Sequence, residues 1–319
     1  MKKILFIFMS ILTTLLFVSC GNDVTYQCNP ILVFDTAVNI VFYNDANYKT
    51  YYNDIKNKFN EINRISDDFN MNTDKNNAYA LNNEREVIKT ELFADMLNKA
   101  IELKEDTNGY FNPFIGRLTH KWKDAFNDKR VLSKEEIDYE LDIMNNSNLI
   151  ISEDKIKLDG EGNIDLGAFA KGYALDWAIE YLKNKNVDKY YIDCGSSSIY
   201  VGNKELNVAL SKPYSSGYYL EFNASNIGIA TSSPKYQYNE IDGVKYHHLV
   251  NPFTGLPSNI YDSVNVISKN NTKNDCYSTA IFSMDIDTAR EFAKNKNVNI
   301  VLYKNDEILY KGEELWEER

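Results

Sequence analysis

The chain is short of the features that would make it a cross-linked, zinc-clustered or nucleic-acid-binding protein. It has four cysteines in 319 residues, and none stands in a CxxC pair. Beyond Cys20 an odd number remains, Cys28, Cys194 and Cys276, at spacings too wide for a disulfide framework or a zinc site. These thiols are expected to serve as small buried hydrophobes. Only six prolines and 14 glycines are present, and no Pro- or Gly/Ser-rich stretch marks a linker between domains. Lysine and arginine total 35 against 46 aspartates and glutamates, a formal charge of −11, with the two signs interspersed. A nucleic-acid partner needs a basic face, and this balance argues against one. No G-x-S-x-G elbow occurs, so a serine-hydrolase reading gains nothing.

At the amino terminus, Met1-Lys2-Lys3 precedes an apolar run from Ile4 to Val18 and then Ser19-Cys20-Gly21-Asn22. That is the layout of a secretory signal, with a basic start and a hydrophobic stretch too short for a comfortable membrane span. Cys20 sits where a bacterial lipoprotein signal is cut. Residues 1–19 are therefore expected to be a lipoprotein signal, Cys20 the lipid-carrying first residue, and residues 20–29 a tether. The alternative is an ordinary signal peptide with a chance cysteine. In both readings the mature protein works outside the cytoplasmic membrane of a bacterium. Residues 30–319 are enough for one large domain with a sizeable core.

Along that domain, Ile31 to Tyr43 alternates and is rich in β-branched and aromatic residues, which predicts a strand. Ile55, Phe59, Ile62 and Ile65 fall on one helical face. Ile65 to Asn83 carries Asp67-Asp68, Asn70, Asn72, Asp74 and Asn76-Asn77, and is expected to be an exposed loop. A helix over Glu91 to Lys104 precedes Gly109-Tyr110-Phe111-Asn112-Pro113-Phe114-Ile115-Gly116, a rigid apolar loop in which Pro113 biases Asn112 towards an extended conformation. Ser133-Lys134-Glu135-Glu136 is a capping box that opens a short helix. Beyond a long helix ending near Leu182, the second half is mostly strand-like, with helices from about Asn274 to Met284 and Ile286 to Lys294. Strands and helices come in blocks without strict βαβ alternation, which predicts an α+β fold with mostly antiparallel sheets and flanking helices.

Three segments could carry chemistry. Asp165-Leu166-Gly167-Ala168-Phe169-Ala170-Lys171-Gly172-Tyr173-Ala174-Leu175-Asp176 joins a glycine turn to the start of a helix. Glycine lets main-chain groups approach a ligand closely, and a helix N-terminus favours an anion. A tight turn leading into a core helix is the plainer reading. Asp275 and Thr279 lie four apart on a predicted helix, so their oxygens share a face and could grip one hard cation. They could equally be a helix cap and a hydroxyl bonding the preceding turn. Tyr246-His247-His248-Leu249-Val250-Asn251-Pro252-Phe253-Thr254-Gly255 ends a strand in a turn. Adjacent strand residues face opposite sides, so the two imidazoles are not expected to hold one metal. Ala230-Thr231-Ser232-Ser233 offers further hydroxyls at a strand end.

Taken in order, these motifs resemble the ApbE family, the FAD:protein FMN transferases. The likeness rests on Phe111-Asn112-Pro113 with Gly116, on Asp165 through Asp176, on Ala230-Thr231-Ser232 with the run from His248 to Gly255, and on Asp275 through Thr279. It implies an ApbE-like, T-fold-like single large domain over residues 30–319. It further implies a magnesium-dependent enzyme that splits FAD at its pyrophosphate, releases AMP and attaches FMN by a phosphoester to a threonine of an acceptor protein. Position by position, Mg²⁺ would be held by the Asp275 carboxylate, the Thr279 hydroxyl and the Ala168 carbonyl. Flavin-nucleotide contacts would come from Phe34, Phe69, Phe111, Asn112, Pro113, Asp165, Lys171 and Leu249. His248, whose unperturbed pKa lies near working pH, would be the general base for the acceptor hydroxyl; a metal-bound Asp275 is a poor base.

The chain departs from the family pattern at Ser233, where glycine is frequent, and at Asn251 and Asn112, where aspartate is usual. These changes bear on nucleotide orientation. They leave two alternatives in play, an FAD pyrophosphatase that passes FMN to water and a flavin-binding lipoprotein without turnover. Acceptors in the family are often subunits of membrane redox complexes, which suits a lipid-anchored enzyme facing the same compartment.

Overall fold

The computed structural model describes residues 23–70, 75–234, 238–241 and 243–312. The predicted signal and Cys20 lie outside these residues. The first strands are β1 (Thr25–Gln27), β2 (Ile31–Val33) and β3 (Thr36–Tyr43). Helices α1 (Tyr48–Ser66) and α2 (Ala78–Glu84), strand β4 (Glu86–Ile88) and helices α3 (Glu91–Asp106), α4 (Gly116–Asn127) and α5 (Lys134–Asn145) follow. Then come β5 (Asn148–Ile151), β6 (Lys155–Asp159), α6 (Ala170–Asn184), β7 (Tyr190–Cys194), β8 (Ser198–Val201), β9 (Leu206–Ser211), β10 (Tyr218–Ala224) and β11 (Ile227–Ser232). The chain continues through β12 (Tyr238–Ile241), β13 (Val244–His247), β14 (Ser263–Ser268), α7 (Asn271–Ile281), α8 (Ile286–Lys296), β15 (Asn299–Lys304) and β16 (Glu307–Lys311).

The frame is a nine-stranded sheet ordered β1-β3-β7-β8-β11-β14-β15-β16, with β2 also on β3, and every pairing in it is antiparallel. Because successive side chains of a strand point to opposite faces, each central strand feeds two cores. Val38, Ile40 and Phe42 of β3, Ile192 of β7, Val264 and Val266 of β14, and Ile300 and Leu302 of β15 enter the larger core. The intervening Val41, Ile267 and Val301 enter a smaller one, closed by the β9–β10 hairpin through Leu206, Val208, Leu210 and Phe222. Over the larger face lie α1, contributing the expected Ile55, Phe59, Ile62 and Ile65, and the pair α6 and α7. The predicted α+β class with antiparallel sheets holds, and Cys28, Cys194 and Cys276 are all free and buried.

Several boundaries differ from expectation, each for a local reason. The strand predicted across Ile31–Tyr43 is a hairpin, because Phe34 and Asp35 both adopt positive φ, 55° and 54°. Two consecutive left-handed residues make the turn whose twist suits a hairpin. The expected loop Ile65–Asn83 contains α2, opened by Asn77, whose side chain accepts from the Ala80 amide. The apolar loop at residues 109–116 runs straight into α4, whose polar outer face hid it. The short strands β1, β4, β12 and β16 were not anticipated, because three to five residues give too little periodicity. Helix α7 starts at Asn271, three residues earlier than predicted, with the Asn270 side chain accepting from Lys273.

Helices α6 and α7 are joined more closely than ordinary side chains permit. A Cβ on Gly172 would lie 2.1 Å from the Asn271 carbonyl oxygen and 2.8 Å from Asp275 Cβ. The glycine thus serves helix-to-helix contact, where the sequence suggested approach to a ligand. Replacing it forces the helices apart, an overpacking cost of about 2 kcal/mol. Gly172→Ala is expected to lower the thermal midpoint by roughly 4–8 °C, read by circular dichroism. An unchanged midpoint would show that the contact is not constraining.

Candidate active site

The two helices cap one another with carboxylates. Asp176 on α6 accepts from the Asn271 amide at 2.9 Å and the Thr272 amide at 2.8 Å, and also from their side chains. In return, Asp275 on α7 accepts from the Gly172 amide at 2.9 Å and from Ser198 Oγ, also at 2.9 Å. The first-turn amides of a helix have no partner within it and carry the positive end of its dipole. The anion that the glycine motif was expected to attract is therefore, in this structure, the protein's own Asp275. Asp275 lies in the second turn of α7, which sets aside its reading as a helix cap. It is 5% exposed, and burial pushes its carboxyl up from the usual range, while Lys171, the Gly172 amide and Ser198 act against that rise.

This arrangement also decides what Ala168 can do. Its carbonyl stands ahead of the Phe169 cap of α6, whose own carbonyl takes the first ladder bond, from the Tyr173 amide. The first-turn Gly172 amide goes to Asp275, and no main-chain amide among the described residues donates to the Ala168 carbonyl. Thr279, one turn beyond Asp275, shares a hydroxyl cluster: Ser232 Oγ lies 2.8 Å from Ser278 Oγ and 3.2 Å from Thr279 Oγ1. A carboxylate, an unclaimed carbonyl and hydroxyls are the hard oxygen donors that suit magnesium, which completes its shell with water or phosphate. Among the described residues no cluster of three or more His, Cys, Asp or Glu exists to suggest a softer metal. The donor set fits.

The apolar loop and the glycine motif are joined directly, since the Asp165 amide donates to the Pro113 carbonyl at 2.8 Å. Asp165 Oδ1 accepts from the Gly167 amide at 2.8 Å, and its Oδ2 accepts from Thr119 Oγ1 at 3.2 Å. Phe111 is packed in the core, edge-on to Phe169 with 6.0 Å between centroids. Asn112 is buried, and its Oδ1 accepts from the Phe114 amide. Asn251 likewise accepts through Oδ1 from the Phe253 and Thr254 amides. These three bonds need only a side-chain oxygen, as aspartate would give, while Asn251 also donates through Nδ2 to the Ser283 carbonyl at 3.5 Å, which aspartate could not. Ser233 donates to the Asp262 carbonyl at 2.9 Å.

The two adjacent imidazoles separate as strand geometry requires, with His247 buried and His248 exposed. His247 Nδ1 accepts from the Leu249 amide at 3.2 Å, and its ring lies edge-on to Phe282. The turn carrying them docks on the end of α7, where Ser258 Oγ donates to the Phe282 carbonyl at 2.7 Å. It also docks on α4, where Trp122 Nε1 donates to the Gly255 carbonyl at 2.8 Å. Leu249 is buried beside them. Phe34 sits at the β2–β3 turn, against Phe59 of α1.

Sequence reasoning missed Ser198 and the pair Asp68 and His120. His120 Nε2 is 2.8 Å from Asp68 Oδ2, and Phe69 stacks on the His120 ring with centroids 3.8 Å apart. Burial, and then the charge of Asp165, lift the Asp68 carboxyl to about 6, with His120 opposing the rise. The sequence signal available was the adjacency of Asp68 to Phe69, but nothing local tied either to His120, 51 positions beyond Phe69.

The class is a mostly antiparallel α+β fold whose candidate site lies where two mutually capped helices meet. The ApbE family model matches residues 34–302, and the chain belongs to the ApbE family. Two relatives are each named FAD:protein FMN transferase. The protein from Klebsiella pneumoniae is 31% identical over 56% of this chain and 57% of its own length. That from Treponema pallidum is 26% identical over 61% and 60%. The matches thus span less than two thirds of either relative. The crystal structure of the ApbE protein from Thermotoga maritima superposes with a TM-score of 0.77 at 25% identity, covering 88% of this chain and 94% of that one. The flavin transferase ApbE of Vibrio cholerae gives 0.73 at 22% identity, with 91% and 96% covered, a likeness of fold.

Burial of His247 carries a pH consequence. Desolvation first, then the neighbouring His248, lowers its pKa to about 4, against about 6.5 when unfolded. The unfolded chain then binds the proton more readily, so stability is full above pH 6.5 and is lost as pH falls towards 4. The loss between pH 7.5 and 4.5 is expected to be roughly 2–3 kcal/mol from this group. His247→Gln keeps an acceptor for Leu249 and should remove that share of the acid sensitivity, measured by urea titration at both pH values. An identical pH slope in the variant would place the sensitivity elsewhere.

Proposed function

We propose that the protein is a magnesium-dependent FAD:protein FMN transferase, and the observation that carries this is the buried Asp275 carboxylate held at the start of α6 by the Gly172 amide and Ser198. The Ala168 carbonyl lies just ahead of the α6 cap, and the Thr279 hydroxyl stands one turn beyond Asp275 on α7. Asp275, Thr279 and Ala168 would hold the metal, with Ser198 and the first turn of α6 keeping the Asp275 carboxylate oriented. Magnesium, when bound, offsets the negative charge of the pyrophosphate and of the departing phosphate oxygen.

The protein's own residues then have three tasks. Asp165, Lys171 and the loop at Phe111, Asn112 and Pro113 position the nucleotide, and alignment supplies much of the rate in phosphoryl transfer. His248, the exposed imidazole of the pair, takes the proton of the acceptor threonine as its oxygen bonds to the phosphorus of the FMN half. The bond from that phosphorus to the bridging oxygen breaks, and AMP leaves with the oxygen. His247 orients the turn through Leu249 and takes no part in proton transfer. The likeness to the named transferases supports this reading.

The test is incubation of the protein with FAD, Mg²⁺ and an acceptor carrying a flavinylation threonine. In-gel flavin fluorescence on the acceptor, with one AMP released per FMN transferred, is expected. Full-rate AMP release without acceptor would instead mean hydrolysis, and retained intact FAD would mean binding without turnover. Asp275→Ala is expected to reduce turnover at least about a thousandfold, on the scale of losing a principal charge-stabilising group. Unchanged AMP release in that variant would show the metal site is misplaced.

The mature protein is proposed to be lipid-anchored through Cys20 on the outer side of a bacterial membrane, a reading supported by the run Ser19-Cys20-Gly21 after the apolar stretch. Cys20→Ser should move the protein from the detergent phase to the aqueous phase on Triton X-114 partition. Retention in the detergent phase would refute the anchor.

A further inference from the structure

His120 is held in a way the reaction above does not use. Asp68 grips the edge of its ring, at 2.8 Å from Nε2, and the next residue, Phe69, covers a face at 3.8 Å with 25° between planes. Phe69 is 40% exposed, yet it is pinned. Its amide and that of Asn70 donate to Asp67 Oδ1 at 2.9 and 3.0 Å, and Lys123 Nζ stands 3.9 Å from its ring centroid. His120 and Lys123 thus take the two faces of the ring and leave its edge to meet a flat ligand in an edge-to-face contact, with little ordering left to do on binding.

The neighbouring residue of α4 makes the second connection. Thr119 Oγ1 donates to Asp165 Oδ2 at 3.2 Å. Residues 119 and 120 thereby tie Asp165, on the glycine motif, to Phe69, on the loop after α1. These two positions are 96 apart in sequence. Within the proposed flavin site they would address different parts of one nucleotide.

We propose that His120, oriented by Asp68, is a positioning residue that holds Phe69 in register with Asp165 so that the flavin ring of FAD is recognised. The inference rests on the reading of Phe69 as a flavin contact. His120 acts through Phe69 on the flavin half and leaves the AMP half untouched. A stack of this kind is worth about 0.5–1.5 kcal/mol beyond burial, which converts to a roughly two- to tenfold change in affinity.

The test uses the full-length protein and compares His120→Ala, His120→Asn, Asp68→Asn and Phe69→Ala. FMN binding is read by quenching of flavin fluorescence, AMP binding by competition, and turnover by AMP release. His120→Ala is expected to weaken FMN about two- to tenfold and to raise KM for FAD by the same factor, with kcat and AMP affinity unchanged. Asp68→Asn, which keeps a hydrogen bond to the imidazole, should lie between wild type and His120→Ala. His120→Asn, which keeps a polar edge but no ring, should not restore FMN affinity. Equal weakening of FMN and AMP would reveal a merely structural role and overturn the proposal. Wild-type FMN binding in His120→Ala beside a weakened Phe69→Ala would also overturn it while leaving the flavin-site reading intact. Wild-type binding in Phe69→Ala would remove that reading and the inference with it.

Discussion

The reciprocal capping of α6 and α7 is the constraint from which the rest of the site follows. Each helix offers its neighbour a carboxylate, and each receives one at the end where its amides are unpaired. Asp176 satisfies the start of α7, and Asp275 satisfies the start of α6. The contact requires the helices to touch backbone to backbone, and only glycine at 172 allows it. The Ala168 carbonyl, ahead of the α6 cap, accepts from no main-chain amide among the described residues. A stabilising interaction between two helices thereby fixes a buried carboxylate at the start of α6.

The sheet explains why such a clasp is held firmly. Strand β8 delivers Ser198 to Asp275, and β11 delivers Ser232 to Ser278 and Thr279. These strands are neighbours in the sheet, and their hydroxyls rise from the face on which α7 packs. Removing Asp275 from water is costly, and a serine hydroxyl, a helix-end amide and the nearby Lys171 offset part of that cost. The carboxyl that results is dehydrated and oriented, which favours a cation over solvent.

Much of this was legible in the chain. Alternation in β3 and β14, the helical spacing of Ile55, Phe59, Ile62 and Ile65, and the Ser133–Glu136 capping box each encode their element through local periodicity or hydrogen bonding. The helix expected around Asp275 and Thr279 is present, since a four-residue spacing carries its own geometry. The break at Phe34 and Asp35 was not legible. Neither residue type demands a left-handed backbone, and the turn is stabilised from outside, by Asn63 on α1 accepting from the Phe34 amide at 2.6 Å. Helix α4 was missed because its buried face, Leu118, Trp122 and Ala125, is narrow and lies among polar residues.

By itself the sequence determined the α+β class, the burial of Cys28, Cys194 and Cys276, and the family, the last through four motifs whose residue types and order suffice. These are properties of short windows, where spacing dictates which side chains share a face. Tertiary structure alone decided the chemistry of the pieces. It made the anion at the α6 terminus a carboxylate from 103 positions away, buried one histidine of a pair and exposed the other, and set His120 between Asp68 and Phe69. Each of those outcomes depends on which group reaches an unpaired donor or an open face first, and that competition is settled only when distant segments pack.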